Sequence, residues 1–177
     1  MQLNDLSVMV VDDFPAMRKL LVKALRQMGL TRISEARDGI EAVKLLEQQQ
    51  VDLLVSDWNM PDMGGLELLQ WVRGHYSFAR LPFLMVTSKG QQLDVVQAVR
   101  AGVDSYVVKP FTHEILEAKV NKLAGQAHQF AVARAAAKEA EAAVRDEAER
   151  QAMREIAEEP ETPLAPDEPN QEQPADG

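Results

Sequence analysis

Five short strand-like segments alternate along this chain with segments of helical length, and this alternation constrains the fold more than any other feature. The strand-like segments are SVMVVD at 7–12, RISEA at 32–36, VDLLVS at 51–56, PFLMVT at 82–87 and SYVVK at 105–109. Strands separated by helices of about 10–15 residues are typical of a parallel sheet with helices on both faces. The pattern therefore predicts an α/β fold with a doubly wound five-stranded parallel sheet.

The polarity of the segments predicts their order in the sheet. The first, third and fourth segments are almost entirely apolar, as expected for strands covered on both faces. The second segment, RISEA, is the most polar, so we place it at an edge. With right-handed crossovers, a flavodoxin-like order of 2-1-3-4-5 fits these constraints.

The C-terminal third differs in composition from the rest of the chain. A helical pattern begins near Thr112 and continues into an Ala/Glu/Arg-rich stretch whose large apolar residues keep no heptad spacing, which supports a coiled coil only weakly. The last residues are rich in proline and acid, which is typical of disorder. We therefore predict a globular domain at 1–124, a helical extension at 125–158 and a disordered tail at 159–177.

Composition excludes several classes of protein. The chain has no cysteine, so disulfide scaffolds, thiolate zinc sites and thiol nucleophiles are absent. A net charge of −9 disfavours binding to nucleic acid. The N-terminus has no signal-peptide pattern, and no apolar run is long enough to span a membrane. We expect a cytoplasmic protein without membrane insertion.

Polar residues stand at the carboxyl ends of four predicted strands, which is where open parallel sheets bind ligands. Asp12 and Asp13 end the first strand, and Asp57 ends the third. Thr87 ends the fourth strand and Lys109 the fifth. The predicted sheet therefore gathers three carboxylates, a hydroxyl and an ammonium on one rim.

This set of groups is suited to holding a phosphoryl group. Crowded carboxylates recruit a cation, and an all-oxygen site open to solvent suits Mg²⁺. Together with Mg²⁺, Lys109 and Thr87 would neutralise phosphoryl oxygens while a carboxylate attacks in line. Asp57, which stands at the centre of the rim, is the expected nucleophile.

Four motifs at these strand ends resemble those of response-regulator receiver domains, in particular chemotaxis response regulators of the CheY type. The motifs are VVDDF at 10–14, SDWNMP at 56–61, MVTS at 85–88 and YVVKPF at 106–111. The resemblance identifies 1–124 as a receiver domain with Asp57 as the phosphoacceptor. It implies that Asp12, Asp13, Asp57 and the backbone oxygen of Asn59 bind Mg²⁺, and that Thr87 and Lys109 bind the phosphoryl group.

The resemblance also implies a switch and its partners. A histidine kinase would phosphorylate Asp57, Thr87 would move toward the phosphoryl group, and Tyr106 would rotate inward. The face formed by the fourth helix, fifth strand and fifth helix would then change and bind a target. For the chemotaxis type, the implied target is a flagellar motor switch protein, with a phosphatase as a further partner. The Lys109–Pro110 peptide bond is expected to be cis.

Three residues near Asp57 are expected to modify the site. Trp58 directly follows Asp57 and would gate the pocket. At position 89 chemotaxis regulators commonly carry an acid, and Lys89 is expected to change how fast the acyl phosphate is hydrolysed. At position 64 the family usually has Asp, so Gly64 leaves the third helix without a side-chain cap.

Other functions remain open at this stage. An aspartyl phosphohydrolase would use the same type of nucleophile but needs a substrate cap, and the short loops leave no room for one. A flavin carrier is disfavoured by the acidic first loop. Within the receiver class, the C-terminal helix is either a passive extension or an output or oligomerisation element in another pathway. We expect no turnover of a small-molecule substrate.

Overall fold

The computed structural model describes residues 3–88 and 92–158 and contains an open, entirely parallel sheet. The strand order is β2-β1-β3-β4-β5, so the predicted order and the edge position of the second strand are confirmed. The strands are β1 Ser7–Val11, β2 Arg32–Ala36, β3 Leu53–Asp57, β4 Phe83–Thr87 and β5 Ser105–Val108.

A helix follows each strand. These helices are α1 Pro15–Gln27, α2 Gly39–Gln48, α3 Gly65–Gly74, α4 Gln92–Arg100 and α5 His113–Glu158. Local sequence signals account for several of their ends. The Asp38 carboxylate caps α2 by accepting a hydrogen bond of 2.7 Å from the Glu41 N–H. Gly29 and Gly102 adopt positive φ angles just after α1 and α4, as is common at helix C-termini.

Two apolar clusters cover the two faces of the sheet, because successive side chains of a strand point to opposite faces. In β1, Val8 and Val10 join the cluster formed with α1 and α5. Met9 and Val11 join the cluster formed with α2 and α3. All four side chains are buried, which explains why the central strands are apolar throughout.

The structure divides into two compact units, Met1–Ala137 and Lys138–Gly177. The first unit holds the sheet and extends past residue 124, where the sequence placed the end of the globular domain. Two apolar residues beyond that point are buried in it: Ala127 belongs to the α1/α5 cluster, and Phe130 belongs to the α2/α3 cluster. The first unit therefore includes part of the predicted extension.

A buried ion pair joins this part of α5 to the start of β3. Arg134 donates hydrogen bonds of 2.7 Å to the carbonyl of Val51 and to the carboxylate of Asp52. The other oxygen of Asp52 accepts a hydrogen bond of 2.9 Å from the Ser7 N–H. The Asp52 carboxylate is buried, and Arg134 is its counter-ion, so removing Arg134 would leave a buried carboxylate without a paired cation.

The second unit is described as far as Glu158, where α5 ends. Its helical state confirms the predicted extension, and the side chains of Val144 and Met153 are exposed. The tail predicted to be disordered, 159–177, lies outside the described residues. Among the described helices, none has the length and hydropathy needed to cross a bilayer.

Truncation tests the contribution of residues 125–137 to the first unit. We expect a chain ending at Ala124 to lose about 3 kcal/mol or more of unfolding free energy, since it loses Phe130 and leaves Asp52 without Arg134. A chain ending at Ala137 keeps both contacts and is the matched control. Urea unfolding measures the difference. Equal stability of the two truncated chains would show that these residues contribute nothing.

Candidate functional site

The carboxyl ends of the strands bring together the residues predicted from the sequence. Asp57 is the last residue of β3, and Asp12 directly follows β1. Thr87 ends β4 and pairs in register with Val108, next to Lys109. Since all the strands are parallel, these residues share one edge of the sheet.

The ammonium of Lys109 joins the two buried carboxylates of this edge. Its Nζ lies 2.7 Å from Oδ1 of Asp57 and 3.2 Å from Oδ2 of Asp12. Asp57 is 7% exposed and Asp12 is 1% exposed, so water screens neither charge effectively. These distances make Lys109 the direct counter-ion of both carboxylates.

The environment of Asp57 opposes its ionisation. Burial raises the pKa of its carboxyl above the usual value, and the negative charge of Asp12 adds to this rise. The hydrogen bond and the charge of Lys109 act in the other direction without cancelling the rise in pKa. Oδ2 of Asp57 also accepts a hydrogen bond of 3.1 Å from the Asn59 N–H. Asp57 is therefore a buried carboxylate that a second cation would stabilise.

A glycine lets helix α3 begin directly against the backbone of Asp57. The Gly65 N–H donates a hydrogen bond of 2.9 Å to the Trp58 carbonyl. A Cβ atom on Gly65 would overlap the Asp57 carbonyl oxygen. The preceding residue, Gly64, is the N-cap of α3 and provides no side-chain hydrogen bond, as predicted.

The first acidic loop is held through Asp12. Its Oδ1 accepts a hydrogen bond of 2.9 Å from the Phe14 N–H, which leaves Oδ2 facing Lys109. The next residue, Asp13, is exposed. Two of the three predicted carboxylates thus touch Lys109, and the third stands beside them at the surface.

The other predicted residues lie around this centre. Thr87 is buried, and its carbonyl accepts a hydrogen bond of 2.7 Å from the Lys109 N–H. Tyr106 is 37% exposed, with the Lys119 ammonium 5.4 Å from its ring centroid. Trp58 is half-buried against the α2/α3 cluster. The Lys109–Pro110 bond is cis, as expected. Lys89 lies outside the described residues.

The carboxylates at this site fit Mg²⁺ better than a metal ion whose ligands all come from the protein. Within the part of the chain that the structure describes, no three carboxylate or imidazole side chains form a ready-made metal site. Mg²⁺ is usually bound by one or two carboxylates and several waters. Asp12 and Asp57 can supply those carboxylates, with the exposed Asp13 beside them. The contribution of the Asn59 carbonyl stays a prediction.

Comparison with known proteins identifies the family of the part of the chain that contains these site residues. The family model of the response regulator receiver domain matches residues 8–121. The chain belongs to the response regulator receiver domain family. The match begins within β1, includes the other four strands completely and ends within α5, so the rest of α5 lies outside the part defined by the family.

Two curated relatives show how far the similarity extends. The chain is 42% identical over 118 residues to the Chemotaxis protein CheY of Pseudomonas aeruginosa, which is 67% of this chain and 95% of that protein. It is 38% identical over 120 residues to the Chemotaxis protein CheY-3 of Vibrio cholerae, covering 68% of this chain and 92% of that protein. The receiver therefore resembles these proteins over nearly their whole length.

Solved structures agree with this assignment. The chemotaxis response regulator CheY4 of Vibrio cholerae superimposes with a TM-score of 0.63 at 29% identity, covering 67% of this chain and 98% of that chain. The receiver domain of a sensor histidine kinase from Pseudomonas aeruginosa has a TM-score of 0.63 at 27% identity, covering 68% and 98%. That structure has a magnesium ion coordinated in its active-site cleft.

Sequence reasoning missed two contacts near this receiver site. Arg18 in α1 donates a hydrogen bond to the backbone carbonyl of Asp12, at 2.6 Å. Lys119 in α5 lies over the Tyr106 ring. The sequence shows cations on neighbouring helices, but nothing in their spacing tells which acceptor or ring each one reaches.

Substituting Gly65 by alanine tests the close approach of α3 to Asp57. We expect the added Cβ to displace the Asp57 carbonyl and cost about 2 kcal/mol of unfolding free energy. Gly74, at the other end of α3, has open space around its Cα and is the matched control. Gly74→Ala should be neutral or slightly stabilising in the same urea titration. Equal effects at both positions would contradict this role of Gly65.

The raised pKa of Asp57 predicts how Asp57→Asn changes stability with pH. Above the unfolded-state pKa, the ionised carboxylate weakens the folded state, so the variant should gain about 1 kcal/mol at neutral pH. Below that pKa the carboxyl is protonated in both states, and the gain should vanish. Urea unfolding in EDTA, from neutral pH to about pH 3, measures how the stability difference between the variant and the unchanged protein depends on pH, because an unfolded aspartate titrates at about pH 3.9. A loss of stability at neutral pH would contradict the prediction.

Proposed function

We propose that this protein is a cytoplasmic two-component response regulator that accepts a phosphoryl group on Asp57 from a histidine kinase. The observation that carries the proposal is the buried Asp57 carboxylate, held 2.7 Å from Lys109 at a rim that also holds Asp12. Asp57 is an oxygen nucleophile, and Lys109 is a nearby cation that can stabilise the charge on a transferred group.

Each residue has a distinct part in the proposed transfer. An oxygen of Asp57 forms the bond to phosphorus, while the bond from phosphorus to the kinase imidazole breaks and its electron pair stays on nitrogen. Lys109 then pairs with a phosphoryl oxygen, and the Thr87 hydroxyl donates to another. Asp12, Asp13 and Asp57, with the Asn59 carbonyl, would hold Mg²⁺, which would supply positive charge near the phosphoryl oxygens.

The proposed output surface is the face of α4, β5 and α5. Its exposed apolar side chains include Val96, Val99, Tyr106, Val108 and Ile115. A contiguous patch of such side chains would be suited to binding another protein. Phosphorylation would draw Thr87 toward the phosphoryl group and let Tyr106 turn inward, which changes this face.

Similarity to chemotaxis proteins supports a place in chemotaxis, with a flagellar motor switch protein as the target and a phosphatase as a further partner. The similarity at 42% identity to a protein named Chemotaxis protein CheY carries this step. The alternative is that α5 beyond the receiver is an output or oligomerisation element in another pathway. An aspartyl phosphohydrolase is less well supported, because only residues 58–64 separate Asp57 from α3, which is too short a segment for a substrate cap.

Phosphorylation of the purified full chain tests the central proposal. With Mg²⁺ and a small phosphoramidate donor, intact mass spectrometry should show the addition of one phosphoryl group. Asp57→Asn should prevent this addition, and EDTA should suppress it. Asp62→Asn changes an exposed carboxylate on the same loop and is the matched control. Phosphorylation of Asp57→Asn at the normal rate would refute the assignment.

Binding to a purified flagellar motor switch protein tests the output surface. Beryllofluoride-treated protein should bind more tightly than untreated protein, and Tyr106→Ala should remove most of the gain. Tyr76 is fully exposed after α3, so Tyr76→Ala is the control. A chain ending at Ala137 should bind as the full chain does. Loss of binding on that truncation would favour α5 as the output element instead.

A further inference from the structure

We infer that Arg18 is a positioning residue for Mg²⁺ binding, because it sets the backbone from which Asp13 reaches the metal. The inference rests on the proposed function. Arg18 lies in the first turns of α1, and its side chain is largely buried. It touches neither of the carboxylates that Lys109 holds.

The inference depends on the contact between the Arg18 side chain and the peptide group that joins Asp12 to Asp13. A guanidinium N–H of Arg18 donates a hydrogen bond of 2.6 Å to the backbone carbonyl of Asp12. This carbonyl belongs to the same planar peptide unit as the N–H of Asp13. Holding the carbonyl therefore fixes the plane of the peptide and the position of the Asp13 Cα atom.

A second contact holds Arg18 itself in place. Its Nε donates a hydrogen bond of 3.1 Å to the Glu35 carboxylate on the edge strand β2. Glu35 is partly exposed, so the ion pair adds little to stability. Because the planar guanidinium uses two of its N–H groups at once, its rotation is restricted, and the Asp12 carbonyl is tied to β2.

The loop on both sides of Asp13 is anchored as well. The Phe14 N–H is bound by the Asp12 carboxylate, and the Phe14 carbonyl accepts a hydrogen bond of 3.0 Å from the Arg18 N–H. Arg18 therefore holds the residues before and after Asp13, through its side chain and its backbone respectively. Asp13 has an exposed side chain on a constrained backbone, which suits a ligand that approaches a hydrated ion.

The loss of charge and the loss of loop positioning change the Mg²⁺ affinity of Arg18→Gln in opposite directions. Arg18→Gln removes a cation near the metal site, so electrostatics alone would tighten Mg²⁺ binding. If Arg18 positions the loop, the same change should weaken Mg²⁺ binding by about tenfold, the lower end of what loss of an outer-shell partner costs. The sign of the change therefore separates the two roles.

Isothermal titration calorimetry, with Mg²⁺ titrated into the full chain, measures the dissociation constant of Mg²⁺ for each variant. Lys19→Gln removes a neighbouring α1 cation that makes no ion pair within the described residues, so it is the matched charge control and should not weaken binding. Arg18→Lys keeps the positive charge but cannot make the same pair of guanidinium hydrogen bonds. Its Mg²⁺ affinity should lie between those of Arg18→Gln and the unchanged protein. It also carries the test if Arg18→Gln does not fold.

Amide hydrogen exchange in the absence of metal measures independently how well the loop around Asp13 is held. The Phe14 amide, which directly follows Asp13 and donates to the Asp12 carboxylate, should exchange about tenfold faster in Arg18→Gln, as expected when a local hydrogen-bonded structure opens more often. Lys19→Gln should leave this rate unchanged. These rates report the loop alone and do not depend on phosphorylation.

The outcomes separate this inference from the proposed function. If the protein without any substitution binds no Mg²⁺, both the inference and the proposed function are overturned. Mg²⁺ binding that is equal or tighter in Arg18→Gln, or an unchanged exchange rate of the Phe14 amide, would overturn the inference and leave the proposed function standing. Weaker Mg²⁺ binding with faster exchange supports it.

Discussion

The contact of the Lys109 ammonium with Asp12 and Asp57 is the interaction on which the site depends. Two buried carboxylates from neighbouring strands would repel each other strongly without a cation between them. Lys109 follows β5, which is separated from β3 by β4 in the sheet. The site therefore requires that the sheet be completed as far as its fifth strand.

Strand β3 has a buried carboxylate at each end, and each is neutralised by a cation from the C-terminal half of the chain. Asp57 pairs with Lys109, and Asp52 pairs with Arg134 in α5. The first pair lies at the rim where the proposed chemistry occurs. The second lies at the opposite end of the strand, and its cation, Arg134, lies beyond the residues matched by the family model. Residues of the extension are thus part of the folded receiver unit.

The fold was predictable because its signals are local or periodic. Apolar strands, the polar second strand and the Asp38 cap are visible in short segments, and the observed strand order was the one that we expected because it fits the edge strand and the crossover rule. The end of the globular unit was not visible, because Ala, Glu and Arg favour helix whether or not the helix packs. Phe130 and Arg134 gave no sign in the sequence that they contact the sheet.

The sequence by itself determined which residues stand at the carboxyl ends of the strands, since strand periodicity and parallel connection place Asp12, Asp57, Thr87 and Lys109 there. Only the tertiary structure decided which groups touch. It showed that Lys109 bridges two carboxylates, and that Arg18 reaches the Asp12 carbonyl and Glu35. Long cationic side chains have several rotamers and several acceptors within reach, and only packing among distant segments selects one of them.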